Sequence, residues 1–210
     1  MSLSVYPAQA KLKRVCAGLR HLLCRCCLMS MIGENKMKNL DDYVRVIPDF
    51  PKKGVMFRDI TSVLQDADGF KLAVDELFAL LEGADFDVIV GVESRGFIFG
   101  SPIAYILHKP LVLVRKKGKL PGETVSKEYD LEYGSAVIEM HKDAIKPGQK
   151  VIIVDDLIAT GGTLKASAEL VESIGGEVVK IICLMELKGF DGRGFLSKYD
   201  VDTVLAYEGK

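Results

Sequence analysis

The chain has 210 residues, 49% of them hydrophobic and 27% charged, with a formal net charge of -1. Such a length and apolar share can bury a full core in one domain, and no uncharged apolar run approaches the ~18 residues of a membrane span. A near-neutral balance excludes a protein whose main task is gripping nucleic acid through a basic surface, so any phosphate must be bound locally.

The charge is unevenly placed. Residues 1–36 hold Lys11, Lys13, Arg14, Arg20, Arg25 and Lys36 against Glu34 alone, together with Cys16, Cys24, Cys26 and Cys27. Only Cys183 lies outside that stretch, and so few cysteines in the body point to a reducing, cytoplasmic setting. The "CRCC" cluster lacks the second pair that a tetrahedral zinc site needs. Arg20, His21 and Arg25 interrupt every apolar run, which argues against a secretory signal, whereas an Arg-rich, acid-poor leader also fits an organellar presequence. The plainer reading makes residues 1–36 a disordered extension or a non-native start, with Met37 opening a single domain over 37–210.

In chain order, "LDDYVRVI" predicts a short amphipathic helix, "PDFPKKG" a loop, and "DGFKLAVDELFALLEG" a helix capped by Asp68. Strands and helices then alternate. "FDVIVGV" predicts a strand, "RGFIFGSPIAYILH" a helix, "KPLVLV" and "QKVIIVDD" strands, "GTLKASAELVESIGG" a helix, and "EVVKIICLMEL" and "DTVLAY" strands. This order implies an α/β domain with a mostly parallel sheet flanked by helices.

Two stretches break the alternation. "KKGKLPGETVSKEYD" (116–130) is polar, rich in Lys and Gly, and long for a connection, which predicts a mobile loop with a function. "LEYGSAVIEMHKDAI" alternates like an antiparallel hairpin and predicts a flap beside the sheet.

The chemistry concentrates in "VIIVDDLIATGGT" (151–163). Ligands collect at the carboxyl ends of parallel strands, where Asp155 and Asp156 are expected to stand. The following glycines open a helix, whose unpaired N–H groups and positive end make a phosphate nest. Gly161 and Gly162 permit close approach, while Thr160 and Thr163 supply hydroxyls. Carboxylates would repel a phosphate unless something neutral or positive lies between. A ribose satisfies both, giving its hydroxyls to the acids and its phosphate to the nest. No G-x-x-x-x-G-K-[ST] and no strand-following G-x-G-x-x-G is present. His21, His108 and His141 lack ligand-like spacing, and Cys183 reads as a buried strand residue.

These residues resemble the type I phosphoribosyltransferases, and "FPKKGVMFRDIT", "ESRGFIFG", "VRKKGKLPGET" and "YDLEYG" together resemble the adenine branch. The similarity runs over roughly residues 38 to 207 and leaves 1–36 without a counterpart. It implies the type I fold, with a small hood or flap and a mobile loop. It also implies transfer of the phosphoribosyl group from 5-phosphoribosyl 1-pyrophosphate (PRPP) to adenine, giving AMP and pyrophosphate, by a homodimer.

The resemblance assigns the 5'-phosphate to Ala159, Thr160, Gly161, Gly162 and Thr163, and the ribose hydroxyls to Asp155 and Asp156. Pyrophosphate falls to Arg95, Arg115, Lys116 and Lys119, some of them from a neighbouring subunit. Adenine falls to Met56, Phe57 and Arg58 beside Val55, and proton handling to Glu132. Mg²⁺ is expected to arrive with PRPP, held mainly through the substrate and not by a dedicated metal site. Neither nucleic acid nor membrane is an expected partner. Positioned cations make sense unaided, since the leaving diphosphate gains charge as its bond breaks. A transferase for hypoxanthine, guanine or xanthine is the nearest alternative, and a non-catalytic PRPP- or nucleotide-sensing regulator is another. The loop cations and Glu132 favour an enzyme.

Overall fold

The computed structural model describes residues 38–130 and 134–208. A short hairpin comes first, β1 (Arg45–Pro48) against β2 (Met56–Asp59), with Ile47 opposite Phe57. Helices α1 (Thr61–Gln65) and α2 (Ala67–Ala79) follow. Then come β3 (Val88–Val92), α3 (Arg95–Leu107), β4 (Leu111–Lys116), β5 (Thr124–Asp130), β6 (Ser135–His141), β7 (Lys150–Ile158) and α4 (Gly162–Ser173). The chain finishes with β8 (Glu177–Leu187), the one-turn α5 (Gly192–Phe195) and β9 (Val201–Tyr207).

The main sheet has seven strands in the order β5-β6-β4-β3-β7-β8-β9. From β4 to β9 the pairings are parallel, while β5 and β6 add antiparallel at the β4 edge. The central strand β3, "VIVGV", is buried at every position because both faces of the sheet are covered. Val88, Val90, Val151 and Ile153 pack with Leu164, Ala168 and Val171 of α4 on one side. Ile89, Ile152 and Val154 pack with Leu77 of α2 and Phe99 and Ile103 of α3 on the other.

Four expectations need correction. "LDDYVRVI" is not a helix: a 3-10 turn over Leu40–Tyr43 gives way to β1, since β-branched Val46 and Ile47 before Pro48 favour extended backbone. The cap of α2 is Asp66 and not Asp68; its carboxylate accepts from the backbone N–H of Asp68 and Gly69 at 2.9 and 3.1 Å. Residues 116–130 are not one loop, because 124–130 form β5 with Val125 and Tyr129 packed on the core, so the hairpin is β5–β6. Finally, Asp155 and Asp156 lie inside β7, which continues through Leu157 to Ile158. Among the described residues no helix is long and apolar enough to cross a membrane.

Candidate active site

The acids of β7 are deeply sequestered, Asp155 at 8% and Asp156 at 5% exposure. The Asp155 carboxylate accepts the backbone N–H of Asp156 at 2.9 Å. Arg95, the first residue of α3, donates from Nε to Oδ2 of Asp156 at 2.8 Å. That contact requires Gly96 behind it, since a Cβ there would lie 2.4 Å from the Val154 carbonyl oxygen. Burial pushes the Asp155 carboxyl well above its ordinary range, and the neighbouring Asp156 charge adds to the shift. Burial raises Asp156 too, with the Arg95 cation pulling the other way.

Beyond β7 the chain turns through Ala159 and Thr160 to Gly161, which caps α4 at φ 79° and ψ -5°. A left-handed conformation at that point favours glycine. The first N–H groups of α4 have no intrahelical acceptor and, with the helix dipole, favour an anion. Thr163 adds its hydroxyl, which donates to the Tyr129 hydroxyl of β5 at 3.2 Å. Lys127, two residues earlier on the same face of β5, pairs with Glu169 of α4 at 2.8 Å. The hairpin thus leans on the helix that opens the nest.

These elements bound one cleft of about 560 Å³. Of the residues proposed from the sequence, Arg95, Lys116, Asp155, Asp156, Ala159, Thr160, Gly161, Gly162 and Thr163 line it together. Glu93, Ser94, Tyr129, Leu157 and Leu164 line it as well. Tyr129 escaped sequence reasoning because 116–130 reads as a polar loop; its place in an alternation with Val125 was the available signal.

Arg115 and Lys119 do not line the cleft. Arg115 donates from Nε to Glu93 Oε2 at 3.3 Å and from a terminal nitrogen to the Lys119 carbonyl at 3.2 Å. The same Glu93 oxygen accepts the Lys116 N–H at 2.7 Å. Buried Glu139, opposite Arg115 on β6, accepts the N–H groups of Lys119 and Leu120, both at 2.9 Å. Those backbone donors, Leu120 foremost, hold its carboxyl below its ordinary range. Two carboxylates therefore fix the turn that carries the basic residues.

Met56, Phe57 and Arg58 follow one another on β2, also outside the cleft lining. Phe57 meets Phe50 edge-on with centroids 5.1 Å apart, and the Arg58 guanidinium lies 4.2 Å over the Tyr207 ring. Asp59 closes this strand. Its carboxyl is held low first by hydrogen bonds from Thr61, and also by the charges of Arg45 and Arg95. Glu132 lies in 131–133, outside the described residues. Cys183 is fully buried on β8, opposite Asp155, with its thiol pushed up first by burial.

The sequence matches the phosphoribosyl transferase domain over residues 61–206. It is 71% identical over 174 residues to the adenine phosphoribosyltransferase of Agathobacter rectalis, covering 83% of this chain and all of that relative. The crystal structure of adenine phosphoribosyltransferase from Thermoanaerobacter pseudethanolicus superposes with a TM-score of 0.77 at 53% identity, covering 80% of this chain and all of the other. The Saccharomyces cerevisiae enzyme, crystallised with an imino-altritol bisphosphate and adenine, superposes with a TM-score of 0.73 at 40% identity, covering 78% and 95% of the two chains.

Proposed function

The chain belongs to the adenine phosphoribosyltransferases, and from that premise we propose how its cleft moves the phosphoribosyl group of PRPP to adenine, forming AMP and pyrophosphate. One observation carries the site assignment: a buried acid pair, an arginine bonded to it, and a glycine-capped helix start all line a single cleft. That combination suits a sugar phosphate better than a bare anion, which the acids would repel.

In this reading the backbone from Ala159 to Thr163 holds the 5'-phosphate, and Asp155 and Asp156 hold the ribose hydroxyls. As the bond to pyrophosphate breaks, the ribose gains positive charge. That charge draws both carboxyls back toward their ionised forms and is stabilised by them. Arg95 and Lys116 face the departing diphosphate. Arg115 and Lys119 act on the same group through the turn that Glu93 and Glu139 hold. Met56, Phe57 and Arg58 receive the base, where stacking on an aromatic ring contributes about 1–3 kcal/mol. Glu132 holds or accepts a proton at the imidazole edge of adenine.

The donor set fits a Mg²⁺ that enters with PRPP. Asp155, Asp156 and Glu93 line the cleft, the last already bonded to Arg115 and the Lys116 N–H, and among the described residues no group of three or more His, Cys, Asp or Glu side chains gathers to hold an ion unaided. Asp155 and Asp156 would hold it together with substrate oxygens, and when bound it would neutralise charge on the diphosphate. A homodimer belongs to the same proposal, supported by exposed Ile98, Tyr105 and Ile106 along α3. So does a cytoplasmic setting.

The test is a panel of free bases with PRPP and Mg²⁺. AMP should form from adenine, with hypoxanthine, guanine and orotate poorer by about a hundredfold or more, because a site built around one hydrogen-bonding edge leaves buried groups unpaired with another. Comparable turnover of hypoxanthine would remove the adenine assignment.

A further inference from the structure

One buried charge has no part in that chemistry. Glu186 on β8 is 4% exposed, and its register partner across the sheet is Ile158, the residue just before the phosphate loop. Arg193 of α5 donates from Nε to Glu186 Oε2 at 2.7 Å. Its two terminal nitrogens donate to the Val201 carbonyl at 2.6 Å and the Thr203 hydroxyl at 3.1 Å. One guanidinium thus ties a single helical turn to both β8 and β9.

That turn stands directly behind the phosphate loop. A Cβ on Gly192 would lie 2.2 Å from the Ala159 carbonyl oxygen and 2.7 Å from Ile158 Cγ2. A Cβ on Gly161 would lie 2.9 Å from the Gly192 carbonyl oxygen and 3.3 Å from Leu196 Cγ. Two backbones touch where neither can carry a side chain. A second tie comes from α4, whose Lys165 ammonium lies 4.2 Å over the Phe195 ring.

We infer that Arg193 is a positioning residue for the 5'-phosphate: by anchoring α5 to Glu186, Val201 and Thr203, it seats Gly192 against Ala159 and Gly161 and sets the loop that binds the phosphate. The inference rests on the phosphoribosyl reading of the cleft. Its physical basis is direct. A loop that binds an anion through backbone N–H groups has no side chains to adjust, so its affinity depends on where its backbone is held. An ion pair between buried and half-exposed partners adds little net stability, but it specifies a position.

The test uses Arg193→Lys, which keeps a cation for Glu186 but loses the planar fork that reaches three acceptors. Gly192→Ala and Thr203→Val accompany it. Steady-state constants are measured for PRPP and adenine, and ribose 5-phosphate binding is followed by calorimetry, with thermal melts as controls. In Arg193→Lys and Gly192→Ala the KM for PRPP and the Kd for ribose 5-phosphate should rise together by about tenfold, the equivalent of one lost charged hydrogen bond. The KM for adenine should stay within about twofold, since uniform binding to the other substrate is untouched. Thr203→Val, which preserves shape and removes one anchor, should show a smaller rise in the same two constants and serves if Gly192→Ala does not fold.

A folded Arg193→Lys protein with a lower melting temperature but an unchanged Kd for ribose 5-phosphate would overturn the inference and leave Arg193 merely structural. A wild type that binds ribose 5-phosphate yet makes no AMP from adenine would sink the adenine reading instead, with the ribose 5-phosphate comparison still testing Arg193.

Discussion

Arg95 and Asp156 form an ion pair at 2.8 Å between the first turn of α3 and strand β7, a half-exposed cation on a carboxylate whose side chain is 7% exposed. Because Arg95 still shows half its surface to the cleft, it can hold Asp156 and face a diphosphate at once. Arg95→Met should therefore raise the KM for PRPP and lower kcat, each by about 10- to 100-fold, the scale of one charge-assisted hydrogen bond. Steady-state kinetics at saturating adenine checks this, and a KM for PRPP within twofold of wild type would count against the role.

Asp155 supplies a stability prediction with a definite sign. Its carboxyl is raised well above the ordinary 3.8, first by burial. The folded chain therefore holds this proton more tightly than the unfolded chain. Its stabilising contribution is fully present below the unfolded value and is lost as pH rises through the folded one. At neutral pH a charged Asp155 costs stability. Asp155→Asn, whose Oδ1 can still accept the Asp156 N–H, should melt higher at pH 7 by about 2–4 °C, the shift of about 1 kcal/mol in a domain this size. The gain should vanish as pH falls toward 4, while PRPP binding weakens at every pH. A lower melting point at pH 7 would refute the account.

Glu132→Gln keeps size and hydrogen bonding but removes charge and basicity. In single-turnover reactions, where product release cannot hide the chemical step, the rate should fall by about 10²-fold while PRPP affinity changes little. A near wild-type single-turnover rate would take Glu132 out of the chemistry.

Deleting residues 1–36 should leave a folded, active protein. Among the described residues, the apolar side chains from Leu40 in the first turn to Tyr207 at the end of β9 already pack with one another in two clusters. Melting curves and PRPP-dependent AMP formation on the shortened chain check this, and loss of either would give the leader a role.

Much of this molecule could be read before folding, for local reasons. The alternation of buried strands with helices of 12 or 13 residues shows in hydrophobic period alone. The proposed phosphate loop needs only a strand, a left-handed glycine and a helix start, all contiguous from Val151 to Thr163. A backbone device of that kind is written in neighbouring residues, and Ala159 to Thr163 line one cleft together.

The tertiary structure decided everything that depends on partners distant in sequence. Whether Thr124–Asp130 is loop or strand turns on Ser135–His141 offering a ladder and on α4 offering Thr163 and Glu169 to Tyr129 and Lys127. Arg115 looks like a free cation among lysines until Glu93, 22 positions away, takes its Nε. Arg193 lies in no recognisable motif, and its meaning appears only when β8 and β9 bring Glu186, Val201 and Thr203 within reach. Local sequence sets the conformations a backbone prefers, whereas strand order and burial choose which polar groups lose water together and must then satisfy one another.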